Sequence, residues 1–143
     1  MANLEPILQE INLPRGAKIS DLGCGDGRWL FALEAFTATS GRCYNLSGYE
    51  LSAYPFLKSQ LLKISRKSKV KFYRRDFFKR DNFPEQGILI FLVKKIMPKV
   101  SALLQKKLKP GTLVISYAFE LPGWPVHKVL ETRPSPTYIY YKN

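Results

Sequence analysis

The chain has 143 residues, of which 45% are hydrophobic, so it is long and apolar enough for one folded domain over 1–143. Its 23 Lys and Arg outweigh 11 Asp and Glu; the net charge of +12 favours acidic partners such as RNA, an acidic protein or a membrane surface, unless the lysines form only a solvated surface. No apolar run approaches the ~20 residues of a membrane span, no signal pattern opens the chain, and two cysteines are too few for a disulfide framework. We therefore expect a cytoplasmic protein without a membrane span.

The first predicted elements alternate between helix and strand. Leu4, Ile7, Leu8 and Ile11 recur at helical spacing and predict an amphipathic helix within residues 1–14. A short apolar strand ending at residue 22, a glycine-rich loop and a second helix to about residue 36 follow. This order is the first half of a nucleotide-binding α/β unit.

The glycine-rich loop indicates which ligand such a unit would bind. Its three glycines stand at alternate positions: Gly23, Gly25 and Gly27. The dinucleotide fingerprint G-x-G-x-x-G needs a glycine where this chain has Arg28. Asp21 and Asp26 would repel a pyrophosphate but attract a ligand that carries an ammonium and a sulfonium. The loop therefore predicts S-adenosylmethionine as the ligand; the alternative is a glycine-rich turn that binds nothing.

The second predicted strand, over residues 43–50, ends at Glu50. In a doubly wound sheet, an acidic residue at this tip lies beside the first loop and can accept hydrogen bonds from both ribose hydroxyls of a bound nucleoside. The alternative is that Glu50 only precedes the next helix, with Ser52 as its cap and Pro55 in its first turn.

The third predicted strand, over residues 70–74, is followed directly by Asp76 and Phe77. At this position the carboxylate of Asp76 can accept the adenine amine, and the ring of Phe77 can cover the base. The alternative for Asp76 is a helix N-cap, a position that Asp favours.

The later elements continue the same alternation and then change. They are a continuous apolar strand over 87–93, a helix from 96 to about 107, a strand over 112–117, and two strands over 127–132 and 137–141. The last two have too few residues between them for a helix, so they must pair as an antiparallel hairpin within 126–143. The order predicts a Rossmann-like, doubly wound α/β fold with a mainly parallel seven-stranded sheet.

Several motifs together resemble a known family. Residues 21–27, Asp-Leu-Gly-Cys-Gly-Asp-Gly, resemble the first motif of the class I, seven-strand methyltransferases. Closer still are the small lysine methyltransferases of the adenine nucleotide translocase and ATP synthase c-subunit, with their prokaryotic relatives. The segments that carry this resemblance are 48–51, 76–79, 109–112, 116–119 and 121–124.

The resemblance implies an S-adenosylmethionine-dependent enzyme that methylates a lysine of a protein substrate. It implies that the cofactor contacts come from the first loop, the ends of the second and third strands, and the end of the fourth. The residues concerned are Asp21, Gly23, Cys24, Gly25, Asp26, Gly27, Glu50, Leu51, Asp76, Phe77 and Phe91.

The segment after the fifth strand supplies the candidate catalytic residues. Tyr117, Phe119 and Trp124 can sheath a lysine side chain, lower the pKa of its amine by desolvation and face its ammonium. Glu120 can orient the amine or take its proton. The alternatives are ordinary core positions for the aromatic residues and a solvated surface position for Glu120.

Other chemistries are less well matched. Residues 90–93 contain no Asn/Asp-Pro-Pro-Tyr motif, which argues against methylation of a base or of glutamine. His127 is expected to be structural, and no Cys/His cluster predicts a metal. The open alternatives are a small-molecule methyltransferase, a cofactor-binding protein without turnover, and an RNA methyltransferase whose phosphate contacts would be Lys63, Lys71, Arg74 and Lys106.

Overall fold

A computed structural model describes residues 4–143 and contains one seven-stranded sheet. In chain order the strands are β1 (Lys18–Leu22), β2 (Asn45–Tyr49), β3 (Lys71–Tyr73), β4 (Gly87–Ile90), β5 (Leu113–Tyr117), β6 (Lys128–Leu130) and β7 (Thr137–Tyr141). Their spatial order is β3-β2-β1-β4-β5-β7-β6. The first five strands pair in parallel, whereas β7 pairs antiparallel with β5 and β6. The predicted α/β, doubly wound fold with an antiparallel terminal pair is confirmed.

Helix α1 (Glu5–Glu10) precedes β1, and three further α-helices connect the parallel strands: α2 (Arg28–Ser40), α3 (Ala53–Arg66) and α4 (Met97–Lys107). A single 3-10 turn, Phe77–Lys79, stands where a helix between β3 and β4 would otherwise lie, and another, Lys94–Ile96, precedes α4. Within residues 4–143, no helix combines the length and apolarity that a bilayer crossing requires.

The fourth strand is shorter than its apolar run predicts. β4 ends at Ile90, and Phe91 and Val93 beyond it are 51% and 65% exposed. Phe91 lines the candidate site rather than the core, so the apolar composition continues past the end of the strand.

The sheet is covered on both faces, which gives the molecule two hydrophobic cores. On one face α1 and α2 bury residues such as Ile7, Leu30 and Leu33 against β1 and β5. On the other face α4 buries Val100 and Leu104 against β1, β4 and β5. Burying both faces is what allows the parallel strands to be continuously apolar.

The order of the strands fixes where a ligand site should lie. From β1 the chain extends the sheet first towards β2 and β3 and then, on the other side, towards β4 and β5. The last residue of β1, Leu22, is in register with Tyr49 of β2 and Ile90 of β4. This reversal opens a crevice at the carboxyl ends of the strands, and the glycine-rich loop begins there.

Candidate cofactor and active site

The glycine-rich loop is held in a tight bend by backbone bonds to β2. The amides of Gly23 and Cys24 donate to the carbonyl of Tyr49 at 2.8 and 3.0 Å. Gly27 has φ of +85°, and a Cβ there would lie 2.5 Å from the ring of Phe72. Only glycine fits both this left-handed backbone and this close approach, so the third glycine sets how α2 begins and packs.

A cavity of about 490 Å³ lies over this loop, within the range of small-molecule sites. Among its lining residues are six of the predicted cofactor contacts: Asp21, Gly23, Cys24, Gly25, Asp26 and Phe91. The other lining residues are Arg28, Trp29, Tyr54, Pro55 and Lys58. The loop and the exit of β4 therefore meet at one cavity, and their contacts with a cofactor stay a prediction.

Asp21 is the most unusual group in this cavity. Its side chain is buried, with the residue only 3% exposed, and its Oδ1 has no hydrogen-bond partner among the described residues. Burial, with a smaller contribution from the charge of Glu50, raises the pKa of Asp21 to about 7. Leaving such a group unpaired is costly, so the cavity suits a ligand that brings a positive charge to this carboxylate.

Asp26, at the other end of the loop, already has cationic partners. Its carboxylate accepts hydrogen bonds from the Arg28 side chain at 3.1 and 3.2 Å and pairs with Lys58 of α3 at 3.3 Å. The hydrogen bond from Arg28, aided by that from Lys58, holds the pKa of Asp26 below its usual range. Asp26 thus links the loop to α3, and the positive charge of a ligand is left to Asp21.

The carboxylate of Glu50 accepts backbone amides on both sides of it, and Ser52, the N-cap of α3, makes no side-chain cap hydrogen bond. The Oε1 of Glu50 accepts the Gly25 amide at 3.1 Å, and its Oε2 accepts the Ser52 amide at 3.2 Å, just before α3. The carboxylate therefore braces the glycine loop from the tip of β2 and also precedes a helix. Its hydrogen bonds to ribose hydroxyls stay a prediction.

Besides Glu50, four predicted cofactor contacts do not line the cavity. Gly27 faces Phe72, and Leu51 is 58% exposed. The N-cap alternative is confirmed for Asp76, whose Oδ1 accepts the Phe78 amide at 3.0 Å. Phe77 is buried in the core on the α4 face with its ring 4.5 Å from that of Phe78, so it does not present a free ring face to the cavity.

Three aromatic rings form a cluster, of which Trp29 and Phe91 line the cavity and Tyr117 lies behind them. Trp29 lies 5.8 Å from Phe91 and 5.6 Å from Tyr117, and the Phe91 and Tyr117 rings are 4.9 Å apart. The Tyr117 hydroxyl is buried and has no hydrogen-bond partner among the described residues. Sequence reasoning missed Trp29 because it is the first apolar residue of α2 and looks like a core position; its place directly after the glycine loop was the available signal.

Tyr117, Phe119 and Trp124 do not pack together as one aromatic slot, and their predicted contacts with a lysine stay a prediction. Tyr117 packs in the core on the α2 face, whereas Trp124 and Phe119 pack in the core on the α4 face. The Trp124 ring lies 6.0 Å from that of Tyr140, and its Nε1 donates to the Ser101 carbonyl. Trp124 therefore occupies the ordinary core position that was its alternative.

Glu120, the last candidate catalytic residue, is exposed on the loop after β5. This is the surface position that the sequence offered as its alternative. Its predicted part in orienting or deprotonating an amine stays a prediction.

Comparisons with known proteins agree with this site. A family model described as the ANTKMT methyltransferase domain matches residues 21–128. A protein-lysine N-methyltransferase of Saccharolobus islandicus (strain REY15A) is 28% identical over 119 residues, 79% of this chain and 69% of that protein. The crystal structure of an RNA methyltransferase from Salinibacter ruber in complex with S-adenosyl-L-homocysteine covers 99% of this chain and 93% of its own, with a TM-score of 0.83 at 19% identity. A SAM-dependent methyltransferase from Aquifex aeolicus covers 98% and 89%, with a TM-score of 0.73 at 15% identity.

The residues of the cavity fit the cofactor of such enzymes. The unpaired Asp21 carboxylate suits the ammonium of S-adenosylmethionine, and the glycine loop leaves room beside the backbone. The family model begins at Asp21 and runs from the glycine loop to the start of β6. The chain therefore belongs to the ANTKMT methyltransferase domain family, and it is a class I, S-adenosylmethionine-dependent methyltransferase.

Proposed function

We propose that the protein transfers the methyl group of S-adenosylmethionine to the ε-amine of a lysine in a protein substrate. The observation that carries this proposal is the aromatic cluster of Trp29, Phe91 and Tyr117, which opens to the cofactor cavity through the half-exposed Phe91. The name of the Saccharolobus relative supports the same acceptor. The acceptor lysine would then lie beside the carboxyl end of β4.

The cofactor supplies an electrophilic methyl group on its sulfonium. Asp21 would hold its ammonium, and Glu50, fixed by the Gly25 and Ser52 amides, would hold its ribose. Because backbone hydrogen bonds already order both the loop and Glu50, little reorganisation is needed on binding. The protein's main contribution to the rate would be alignment of the acceptor with the methyl group.

A lysine acceptor must first lose its proton. Its reference pKa of ~10.4 leaves only about one amine in a thousand neutral near pH 7.4. An apolar aromatic wall raises the neutral fraction because desolvation disfavours the ammonium. Phe91 and Trp29 would supply that wall, and the unpartnered hydroxyl of Tyr117 would accept a hydrogen bond that orients the amine.

The test is methyl transfer into cell lysate from radiolabelled S-adenosylmethionine, with products divided between protease and nuclease digestion. We expect protease-sensitive, nuclease-resistant label that co-migrates with methylated lysine after hydrolysis. Omitting the enzyme, and replacing it with Asp21→Asn, are the controls. Label that nuclease releases would contradict the proposal.

The alternative is an RNA substrate, which the basic composition favours. Its four proposed phosphate contacts do not form one patch, since Lys63 lies on α3 and Lys106 on α4, which packs against the opposite face of the sheet. Arg74 donates its Nε to the Leu51 carbonyl. The nuclease arm of the same assay tests this alternative, and RNA binding that falls steeply with salt would support it.

A further inference from the structure

Helix α3 exposes an unusual number of large apolar side chains. Of its 14 residues only Ser59 is fully buried, and four of its large apolar residues face outwards. Tyr54, Leu57, Leu61 and Ile64 are 79%, 62%, 65% and 75% exposed. Single exposed apolar residues are normal, but a contiguous group marks an interaction surface.

These four residues form a continuous line along the helix, called here the α3 seam. Their spacing of three, four and three residues places them within an arc of about 80° at 3.6 residues per turn. Phe56 and Leu62, on the other side of α3, pack against the core. A narrow line at this spacing is the seam that one helix presents to another, as at the a and d positions of a coiled coil.

The stretch of chain that carries the α3 seam is strongly basic, although Lys58 pairs with Asp26 of the glycine loop. No Asp or Glu occurs between residues 51 and 75. The cations of that stretch are Lys58, Lys63, Arg66, Lys67, Lys69, Lys71, Arg74 and Arg75. A partner with acidic residues beside its own apolar line would be attracted, and one with basic residues repelled.

Charge and size both argue against a second copy of this chain as the partner. Two copies would bring the same basic surroundings together, each on a chain of net charge +12. The helix is only about 21 Å long at 1.5 Å per residue, so its seam buries less than the ~800 Å² per partner of a standard stable interface. A transient partner fits this size better.

The narrow width of the α3 seam favours a helix over a lipid surface as its binding partner. A helix that lies in a bilayer interface buries a broad apolar face. Here Gln60 and Ser65 border the narrow line on either side, so one packed helix can cover it but a membrane plane would also desolvate these polar groups.

We propose that the α3 seam docks an amphipathic helix of a partner protein, whose apolar residues repeat at a and d spacing and whose flanks carry Asp or Glu. The seam begins at Tyr54, which also lines the cofactor cavity. A helix docked on it therefore ends beside the site of methyl transfer. The docking itself does not depend on which acceptor is methylated.

The test uses two fluorescent 21-residue helical peptides with Leu at a and d. One carries Glu at e and g, and the other carries Lys there. Anisotropy with the full chain should show the acidic peptide binding at least about tenfold tighter, with the difference shrinking as salt rises. The double variant Leu61→Gln/Ile64→Gln should weaken binding of the acidic peptide at least about tenfold, since docking would bury both apolar side chains and the polar Gln gains less from burial. Ala102→Gln, at an exposed position of α4, is the matched control and should change nothing.

Several results would overturn the proposal. Equal binding of the two peptides, or unchanged binding by the double variant, removes its basis. A wild-type dimer in sedimentation that the double variant abolishes would assign the seam to a second copy. Seam-dependent flotation with phosphatidylserine vesicles would assign it to lipid. Calorimetry with S-adenosylhomocysteine on every variant keeps this test separate, because a failure of cofactor binding would count against the site and not against the seam.

Discussion

The two ends of the glycine loop carry the same side chain in opposite settings. Asp21, at the end of β1, is buried without a cationic partner among the described residues, and its pKa is raised to about 7. Asp26, before α2, pairs with Arg28 and Lys58, and its pKa is lowered. The buried Asp21 carboxyl is destabilised until a cationic ligand pairs with it, whereas Asp26 stabilises the loop before any ligand binds. Burial and partners, rather than residue type, separate a binding group from a structural one.

The substitution Asp21→Asn should have the largest effect. Removing one partner of a buried charge pair costs about 2–5 kcal/mol, so S-adenosylhomocysteine should bind at least about 30-fold more weakly. Calorimetry measures the affinity, and circular dichroism checks that the variant is folded. An affinity within about threefold of wild type would mean that Asp21 does not hold the ammonium.

Gly27→Ala tests whether the Asp26 end of the loop is fixed by packing. The new Cβ meets the Phe72 ring at 2.5 Å, and φ is +85°. Strain and overpacking together should lower the free energy of unfolding by about 2–4 kcal/mol. Gly41→Ala is the control, because it has a similar φ of +73° with nothing within 4 Å of the added Cβ, and it should cost less. Equal losses in urea denaturation would contradict the role of the Phe72 contact.

Cofactor binding should depend on pH through Asp21, because its raised pKa lies near neutrality whereas that of Asp26 is lowered. Below pH 7 Asp21 gains its proton, so affinity for S-adenosylhomocysteine should fall by up to about tenfold per pH unit. Because the folded-state pKa is raised, this group stabilises the free protein most below pH 4, and that stability is lost as the pH rises through 7. The Asn variant should lack both dependences. A flat affinity profile for the wild type between pH 5.5 and 8 would contradict the assignment.

Asp26→Asn should have the smallest effect. Its partners Arg28 and Lys58 are 55% and 48% exposed, and such surface pairs contribute about 0–1 kcal/mol. We expect affinity for S-adenosylhomocysteine within about threefold of wild type and a thermal midpoint only slightly lower. A loss as large as that of Asp21→Asn would show that the two carboxylates act alike.

The fold could be predicted from the sequence because its signals are local. Glycine spacing after an apolar strand, the buried run at the start of β4 and the closeness of the last two strands each dictate one feature of the sheet. The end of β4 was predicted too late because the apolar residues continue beyond Ile90. The same residue types occur in a buried strand and at the border of a cavity.

The site was less predictable because it depends on which face of the sheet a side chain meets. Trp29 and Trp124 both follow strand exits, yet one borders the cofactor cavity and the other packs under α4. Which face of α3 meets the core also depends on the tertiary structure. The sequence pattern indicates an amphipathic helix, but only the packing shows that Ser59 faces inwards and Leu61 outwards.

The insertion of β7 between β5 and β6 has a consequence for truncated forms. β6 joins the sheet only through β7, so losing residues 137–141 would detach both strands at once. The freed edge would be β5, all five of whose residues are buried in the intact sheet. An apolar strand with open backbone donors and acceptors recruits other chains, so clipped molecules should accumulate as aggregates rather than as a smaller working enzyme.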